Sequence, residues 1–157
     1  MRKIRLIEAD VFLRKISELT KKEQSILARR IVSQHINSRA IKSYKVNKYY
    51  WSASYTKGMM TVIISKNKVG IDIEKIVKRD RGLFKISSEI KNWKTFYRIW
   101  TGKEAIIKAF NLALKEHEKI IYQKNNKNCT TFIYNKKSIE LKTIECEDYF
   151  ISICFRK

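Results

Sequence analysis

Residues 100–110 read WTGKEAIIKAF and have the apolar period of an amphipathic α-helix. Glu104 and Lys108 are four residues apart, so on a helix they lie on one face, one turn apart. They can therefore contact the same ligand, in a cleft. The other face carries small and apolar side chains, which predicts that the helix packs closely on the core: Gly102, Ala105, Ile106, Ala109 and Ala113.

The stretch before it, residues 69–76 (VGIDIEKI), alternates with a period of two and predicts a strand with one buried face. Asp72 and Glu74 share the other side of this strand. Like charges repel at this distance, and solvent, basic neighbours or a bound cation can keep both ionised. Together with Glu104 they form an all-oxygen set, the ligand type that suits Mg²⁺ in sites that also bind substrate phosphates. Lys108 would then contact the phosphate.

Three motifs in this order resemble a known family. The G-I-D-x-E segment followed by W-x-x-K-E-A-x-x-K is similar to the signature pair of the 4′-phosphopantetheinyl transferase superfamily. Residues 52–58, SASYTKG, resemble the S-x-S-H-T-K-G stretch of its larger, surfactin-synthetase-activating type. The matches cover residues 52–110, about two fifths of the chain. The resemblance implies an α+β fold of two similar halves around a cleft, here residues 1–66 and 67–157 of a single domain.

The same resemblance implies a Mg²⁺-dependent enzyme of the holo-[acyl-carrier-protein] synthase type. Such enzymes move the phosphopantetheine arm of coenzyme A onto a serine of an acyl, aryl or peptidyl carrier protein and release 3′,5′-ADP. The serine oxygen attacks the β-phosphorus, so catalysis depends on positioning and on neutralising the leaving phosphate. Two groups are candidates for the general base that accepts the serine proton: Glu104 itself, or a water or hydroxide held by the metal.

Matched motif positions give the expected site residues. The expected catalytic residues are Asp72, Glu104 and Lys108, and the expected ligands for Mg²⁺, or Mn²⁺ in its place, are Asp72, Glu74 and Glu104. The residues expected to bind coenzyme A are Ser54, Tyr55, Lys57, Lys103 and Lys108.

The chain departs from the family pattern at Tyr55, where the resemblance expects histidine. Tyrosine can hydrogen-bond a phosphate but adds no positive charge near neutral pH. The region before residue 52 is also short, and three lysines are candidates for the 3′-phosphate of the coenzyme by charge alone: Lys42, Lys45 and Lys48. A degenerate transferase that binds coenzyme A or carrier without turnover is therefore an alternative.

Composition bounds the remaining classes of function. A length of 157 residues predicts one domain with its own core, and a net charge of +20 favours anionic partners such as acidic proteins or phosphorylated small molecules. The charge and basic-aromatic stretches such as residues 42–51 also suggest a nucleic-acid-binding protein, but they leave the paired carboxylates unexplained. The chain has no phosphate-loop, dinucleotide or zincin motif, which leaves those classes unsupported.

Cysteine spacing and hydropathy indicate the compartment. Cys129, Cys146 and Cys154 form no C-x-x-C pair, so neither a disulfide framework nor a zinc site is expected. The sequence has neither a signal-peptide core nor an apolar run of membrane-spanning length. We therefore expect a cytoplasmic monomer with no membrane contact.

The rest of the chain predicts an α+β domain. Residues 13–36 indicate one or two helices, with Thr20 and Glu23 as a capping box that starts the second. Residues 59–65 predict a buried strand, and residues 66–68 are expected to turn it into a hairpin with the 69–76 strand.

The long helix is expected to begin near Ser88 or Asn92 and to continue through Leu114. Asn111 and Ala113 stand where the resemblance expects glycines, which favours this extension. The C-terminal residues 115–157 alternate apolar and polar, which predicts antiparallel strands with a turn at 124–128.

Overall fold

The computed structural model describes residues 1–6, 9–38, 41, 43–80, 82, 90–126 and 128–156. These residues form two five-stranded antiparallel sheets and few helices, which confirms the α+β prediction. The first sheet has the strand order β1-β2-β5-β4-β3 and the second β6-β10-β9-β8-β7. No helix in the described part of the chain is long and apolar enough to span a membrane.

The first sheet contains the strands before residue 66, and one helix packs on it. The strands are β1 (Arg2–Arg5), β2 (Ala9–Lys15), β3 (Lys45–Val46), β4 (Tyr49–Thr56) and β5 (Met59–Ser65), and the helix is α1 (Lys21–Ile36).

The predicted capping box is confirmed, because Thr20 accepts a hydrogen bond from the Glu23 amide and the Glu23 carboxylate accepts one from the Thr20 amide. A helix beginning at Leu13 is wrong. Leu13 lies in β2, which pairs with β5 and buries alternate residues against the second sheet.

The second sheet contains the strands after residue 67. They are β6 (Lys68–Lys75), β7 (Ile121–Asn126), β8 (Cys129–Tyr134), β9 (Lys137–Cys146) and β10 (Tyr149–Arg156). The C-terminal antiparallel strands are as predicted. The turn is shorter than residues 124–128, because β7 pairs with β8 as far as Asn126; residue 127 lies outside the described residues.

The expected hairpin between β5 and β6 is wrong, although only residues 66 and 67 separate them. Both edges of β5 are occupied, one by β2 and the other by β4. β6 instead pairs with β10 in the second sheet. The chain therefore crosses from one sheet to the other at this short connection.

Helix α2 (Trp93–Phe110) packs on the second sheet and is followed by a 3-10 helix (Leu114–Lys119). The start near Asn92 is confirmed, since its side chain accepts from the Thr95 amide; the alternative start, Ser88, lies outside the described residues. The predicted end at Leu114 is wrong. Asn111 adopts the left-handed conformation with a φ of 55° and ends the helix as the expected glycine would have done.

Three apolar clusters fill the spaces between these layers. One lies between α1 and the first sheet, one between the two sheets, and one between the second sheet and α2. In the middle cluster Val69, Ile71 and Ile73 of β6 contact residues of the first sheet, which confirms that these three share one face. The expectation of a single buried face is wrong, because Gly70 and Asp72 are buried as well. The other face of β6, with Gly70 and Asp72, is turned to α2.

Candidate functional site

Gly70 determines how closely α2 approaches β6. A Cβ at this position would lie 2.0 Å from the carbonyl oxygen of Ala105 and 2.5 Å from the amide nitrogen of Ala109. No side chain fits there, so the helix backbone rests directly on the strand. The predicted small face of α2 is buried at Gly102, Ala105, Ile106 and Ala109, whereas Ala113 lies beyond the helix end and is exposed.

Asp72 is a buried carboxylate held on one oxygen. Its Oδ1 accepts hydrogen bonds from Ser54 Oγ at 2.6 Å and from Lys108 Nζ at 2.7 Å, and Lys108 Nζ also donates to the Ile71 carbonyl at 3.1 Å. The Asp72 side chain is 8% exposed, so it does not belong to a solvated strand face. Its second oxygen, Oδ2, is buried and has no hydrogen-bond partner among the described residues.

Lys108 pairs with Asp72 across the gap to β6. Oppositely charged residues four apart on a helix commonly form an ion pair on its surface, and Glu104 and Lys108 have this spacing. No such ion pair forms between these two residues, and both side chains are half-buried. Lys108 therefore belongs to a contact between elements.

The three predicted carboxylates interact through Asp72. Burial raises the pKa of the Glu104 carboxyl, the negative charge of Asp72 raises it further, and Lys108 opposes both effects. Burial also raises the pKa of the Glu74 carboxyl, again with a contribution from Asp72, while Thr56, Arg79 and Lys108 lower it. The site thus holds excess negative charge, which a cation would neutralise.

These carboxylates do not already form a cage. Among the residues that the structure describes, no group of three histidine, cysteine, aspartate or glutamate side chains is arranged to hold a metal ion. Their chemistry nevertheless fits Mg²⁺ or Mn²⁺, because all the donors are carboxylate oxygens and Asp72 Oδ2 is buried with no hydrogen-bond partner in the described part of the chain.

Tyr55 lies apart from these carboxylates. Its side chain packs in the cluster between the first sheet and α1, and its hydroxyl donates to the Gln24 carbonyl of α1 at 2.9 Å. Burial raises the pKa of Tyr55 to about 12. Ser54, the preceding residue, points to β6 instead. The two motif hydroxyls are therefore on opposite faces of β4, and both have protein partners.

The expected coenzyme-binding lysines are also dispersed. Lys103 is buried beneath the 3-10 helix, where its Nζ donates to the His117 carbonyl at 3.2 Å and burial lowers the pKa of its amine. Lys57 is exposed at the turn after β4. The Nζ atoms of Lys45 and Lys48 lie over the rings of neighbouring tyrosines, and Lys42 is outside the described residues.

Two hydroxyl residues of this region were missed by the sequence analysis. Ser52 accepts a hydrogen bond from the Ile71 amide, and Thr56 donates to the Glu74 carboxylate. A signal for them exists in the sequence. Hydroxyl residues recur every second position in SASYT, with the same spacing as Gly70, Asp72 and Glu74 on β6.

Comparison with known proteins gave no match. No family model matches the chain, and no curated protein matches it. The resemblance therefore depends on the three motifs and on the arrangement of their residues.

Proposed function

We propose that this protein transfers the 4′-phosphopantetheine group of coenzyme A to a serine of an acyl or peptidyl carrier protein in a Mg²⁺-dependent reaction. The observation that carries the proposal is Asp72, a buried carboxylate with Lys108 on one oxygen and, among the described residues, no hydrogen-bond partner on the other. Glu74 and Glu104 adjoin it closely enough to have their pKa values raised by its charge. The motifs that resemble the transferase family supply these same residues.

Asp72, Glu74 and Glu104 would hold the metal ion. When bound, the ion would neutralise charge on the pyrophosphate of coenzyme A as the leaving group departs. Lys108 is placed to contact the same phosphates. Its ammonium has three N–H donors, of which Asp72 and the Ile71 carbonyl use two, so one is left for a phosphate oxygen.

The reaction itself is a displacement at phosphorus. The serine oxygen of the carrier forms a bond to the β-phosphorus, the bond from that phosphorus to the bridging oxygen breaks, and 3′,5′-ADP leaves with the bonding electrons. The serine proton needs an acceptor. Within the chain Glu104 is the candidate, because its raised pKa makes it a stronger base than an ordinary glutamate.

A second candidate function is binding of coenzyme A or a carrier protein without turnover. One observation favours it. The hydroxyl of Tyr55, at the position where the resemblance expects a phosphate-binding histidine, donates to Gln24, and the hydroxyl of Ser54 donates to Asp72. Neither hydroxyl is then directed to a phosphate.

Intact mass spectrometry of a carrier protein tests both candidates. The carrier is incubated with this protein, coenzyme A and Mg²⁺, and we expect a mass gain of one phosphopantetheine that chelation of the metal abolishes. Asp72→Asn should also abolish it. If several different carrier proteins stay unmodified while the protein still binds coenzyme A, the second candidate function is established. Loss of both transfer and coenzyme binding would refute the proposal.

A further inference from the structure

Three hydroxyls on one face of β4 meet β6 at its open edge. β6 is the outermost strand of the second sheet and, among the described residues, pairs with β10 alone, so its other edge needs partners for its amides. Ser52 Oγ accepts from the Ile71 amide at 3.3 Å, and Thr56 Oγ1 accepts from the Lys75 amide at 3.2 Å. Between them, Ser54 donates to Asp72.

Thr56 has a second contact that Ser52 lacks. Its Oγ1 donates to Glu74 Oε2 at 3.1 Å. A hydroxyl has a single hydrogen, and the Lys75 amide already points at a lone pair of this oxygen. The hydroxyl hydrogen of Thr56 is therefore directed to the Glu74 carboxylate, and the contact with the Lys75 amide fixes this direction.

We propose that Thr56 is a positioning residue that holds the Glu74 carboxylate in place for the metal ion. This inference rests on the proposed function. Glu74 is half-buried and has a long side chain, whose freedom would be lost on binding an ion. A bond from Thr56 to Oε2 restricts that freedom beforehand and leaves Oε1 for the metal. Groups that orient metal ligands in this way typically change metal affinity by about 10- to 100-fold.

Ser52 provides a matched control. It lies on the same strand and the same face, and it also caps an amide of the β6 edge. Its hydroxyl contacts no carboxylate among the described residues. Loss of Ser52 therefore reproduces any loosening of β4 from β6 but leaves Glu74 untouched.

The test is binding of Mn²⁺ to the metal-free protein, followed by electron paramagnetic resonance without coenzyme A or carrier. We expect Thr56→Val to weaken Mn²⁺ binding about tenfold or more, Thr56→Ser to retain it, and Ser52→Ala to retain it even where the melting temperature falls. In a Glu74→Gln background, Thr56→Val should have no further effect, because the two residues act as one unit. If Thr56→Val does not fold, Thr56→Ala gives the same comparison.

Unchanged Mn²⁺ affinity in the folded Thr56→Val protein would overturn the inference. An equal loss in Ser52→Ala would overturn it too, because the effect would then come from the contact between the sheets. A wild-type protein that binds no Mn²⁺ would also refute it. The carrier mass assay on the wild type is independent of these outcomes, so transfer by the wild type together with a silent Thr56 would refute this inference alone.

Discussion

At the scale of single residues, Asp72 connects the charges of the candidate site. It is buried, it shares one oxygen between Ser54 and Lys108, and burial, together with its charge, raises the pKa of both Glu74 and Glu104. Lys108 is the one cation in ion-pair contact with this set among the described residues. Without a metal, the folded protein therefore holds carboxylates that repel one another.

Glu104→Gln tests this repulsion. The pKa of Glu104 in the folded protein lies above its ordinary 4.5, so the ionised carboxylate destabilises the fold. At neutral pH the metal-free variant should melt at the same or a higher temperature than the wild type. The difference in melting temperature should disappear below about pH 4, where the carboxyl of Glu104 is protonated and the side chain at position 104 is uncharged in both proteins. Differential scanning calorimetry across this pH range measures it.

The same variant should lose most turnover if Glu104 binds the metal. Glu18→Gln, at an exposed position, is the control and should change neither property. Full activity of Glu104→Gln with unchanged Mg²⁺ dependence would remove Glu104 from the site.

At the scale of elements, close packing of α2 on β6 brings the residues of the site together. Gly70 is what permits it, and α2 in turn aligns Lys108 with Asp72. The 3-10 helix then covers Lys103, whose amine donates to the His117 carbonyl. The contact between Lys108 and Asp72 joins residues 36 positions apart in the sequence, whereas the 3-10 helix directly follows α2.

Gly70→Ala should destabilise the protein and reduce transfer. The new methyl group would clash with the backbone of α2 at Ala105 and Ala109, and a helix backbone cannot rotate aside as a side chain can. Overpacking of this kind costs about 1–3 kcal/mol or more, measurable by urea unfolding. The control is Gly82→Ala, where the nearest atom to an added Cβ is a side-chain oxygen of Asp80 at 3.4 Å. Equal stability of the two variants would contradict the packing argument.

His117 should make stability depend on pH. Burial, with a further contribution from Lys103, lowers the pKa of its imidazole below the ordinary 6.5, and its buried Nε2 has no hydrogen-bond partner among the described residues. The unfolded chain then binds the proton more readily, so stability is present above about pH 6.5 and falls as the pH falls through the folded pKa. Urea unfolding of His117→Gln should show a weaker loss of stability over this range than unfolding of the wild type.

Local signals predicted several of the elements correctly and missed how the strands pair. The capping box at Thr20 and the alternation of β6 depend on neighbours in the sequence, and both are present. The hairpin prediction failed because β2 occupies the edge of β5; only residues 13–15 of this strand fall in the predicted helical region. Asn111 was misjudged by helix propensity alone, although asparagine adopts the left-handed conformation that ends helices.

The candidate site was likewise predictable only in part, from motif spacing and not from contacts between distant elements. Asp72, Glu74, Glu104 and Lys108 were identified from motif spacing, and the structure brings them together. The bond of Tyr55 to Gln24 links residues 31 positions apart, and no pattern in the sequence relates these two residues. Burial of Lys103 depends on the 3-10 helix, which the sequence analysis did not predict.

At the scale of the whole molecule, the dominant property is a net charge of +20. A field of this strength attracts acidic partners over distances of about a Debye length, 8–10 Å near physiological salt. The candidate site, by contrast, is rich in carboxylates. Long-range attraction of acidic partners and the proposed binding of a metal ion would therefore involve opposite signs of charge.

Added salt should therefore raise the apparent KM for an acidic carrier protein more than the apparent KM for coenzyme A. Screening weakens attraction between surfaces more than contacts inside a cleft. Steady-state kinetics over a range of ionic strength measure the two constants. Tight binding to duplex DNA with a steep salt dependence, and no transfer, would instead indicate a nucleic-acid-binding protein.

The short connection at residues 66 and 67 has a consequence for how the protein could be divided. Each sheet closes its backbone ladders within its own stretch of sequence, so a nick at this point would break no strand pairing among the described residues. Two fragments cut there would be held by the middle apolar cluster, by the hydroxyls of β4 and by the hydrogen bond from the Tyr149 hydroxyl to the Lys57 carbonyl. The dissociation constant of the two fragments would then measure the free energy of the contacts between the two sheets. In the intact chain this free energy cannot be measured separately, because the sheets are covalently linked.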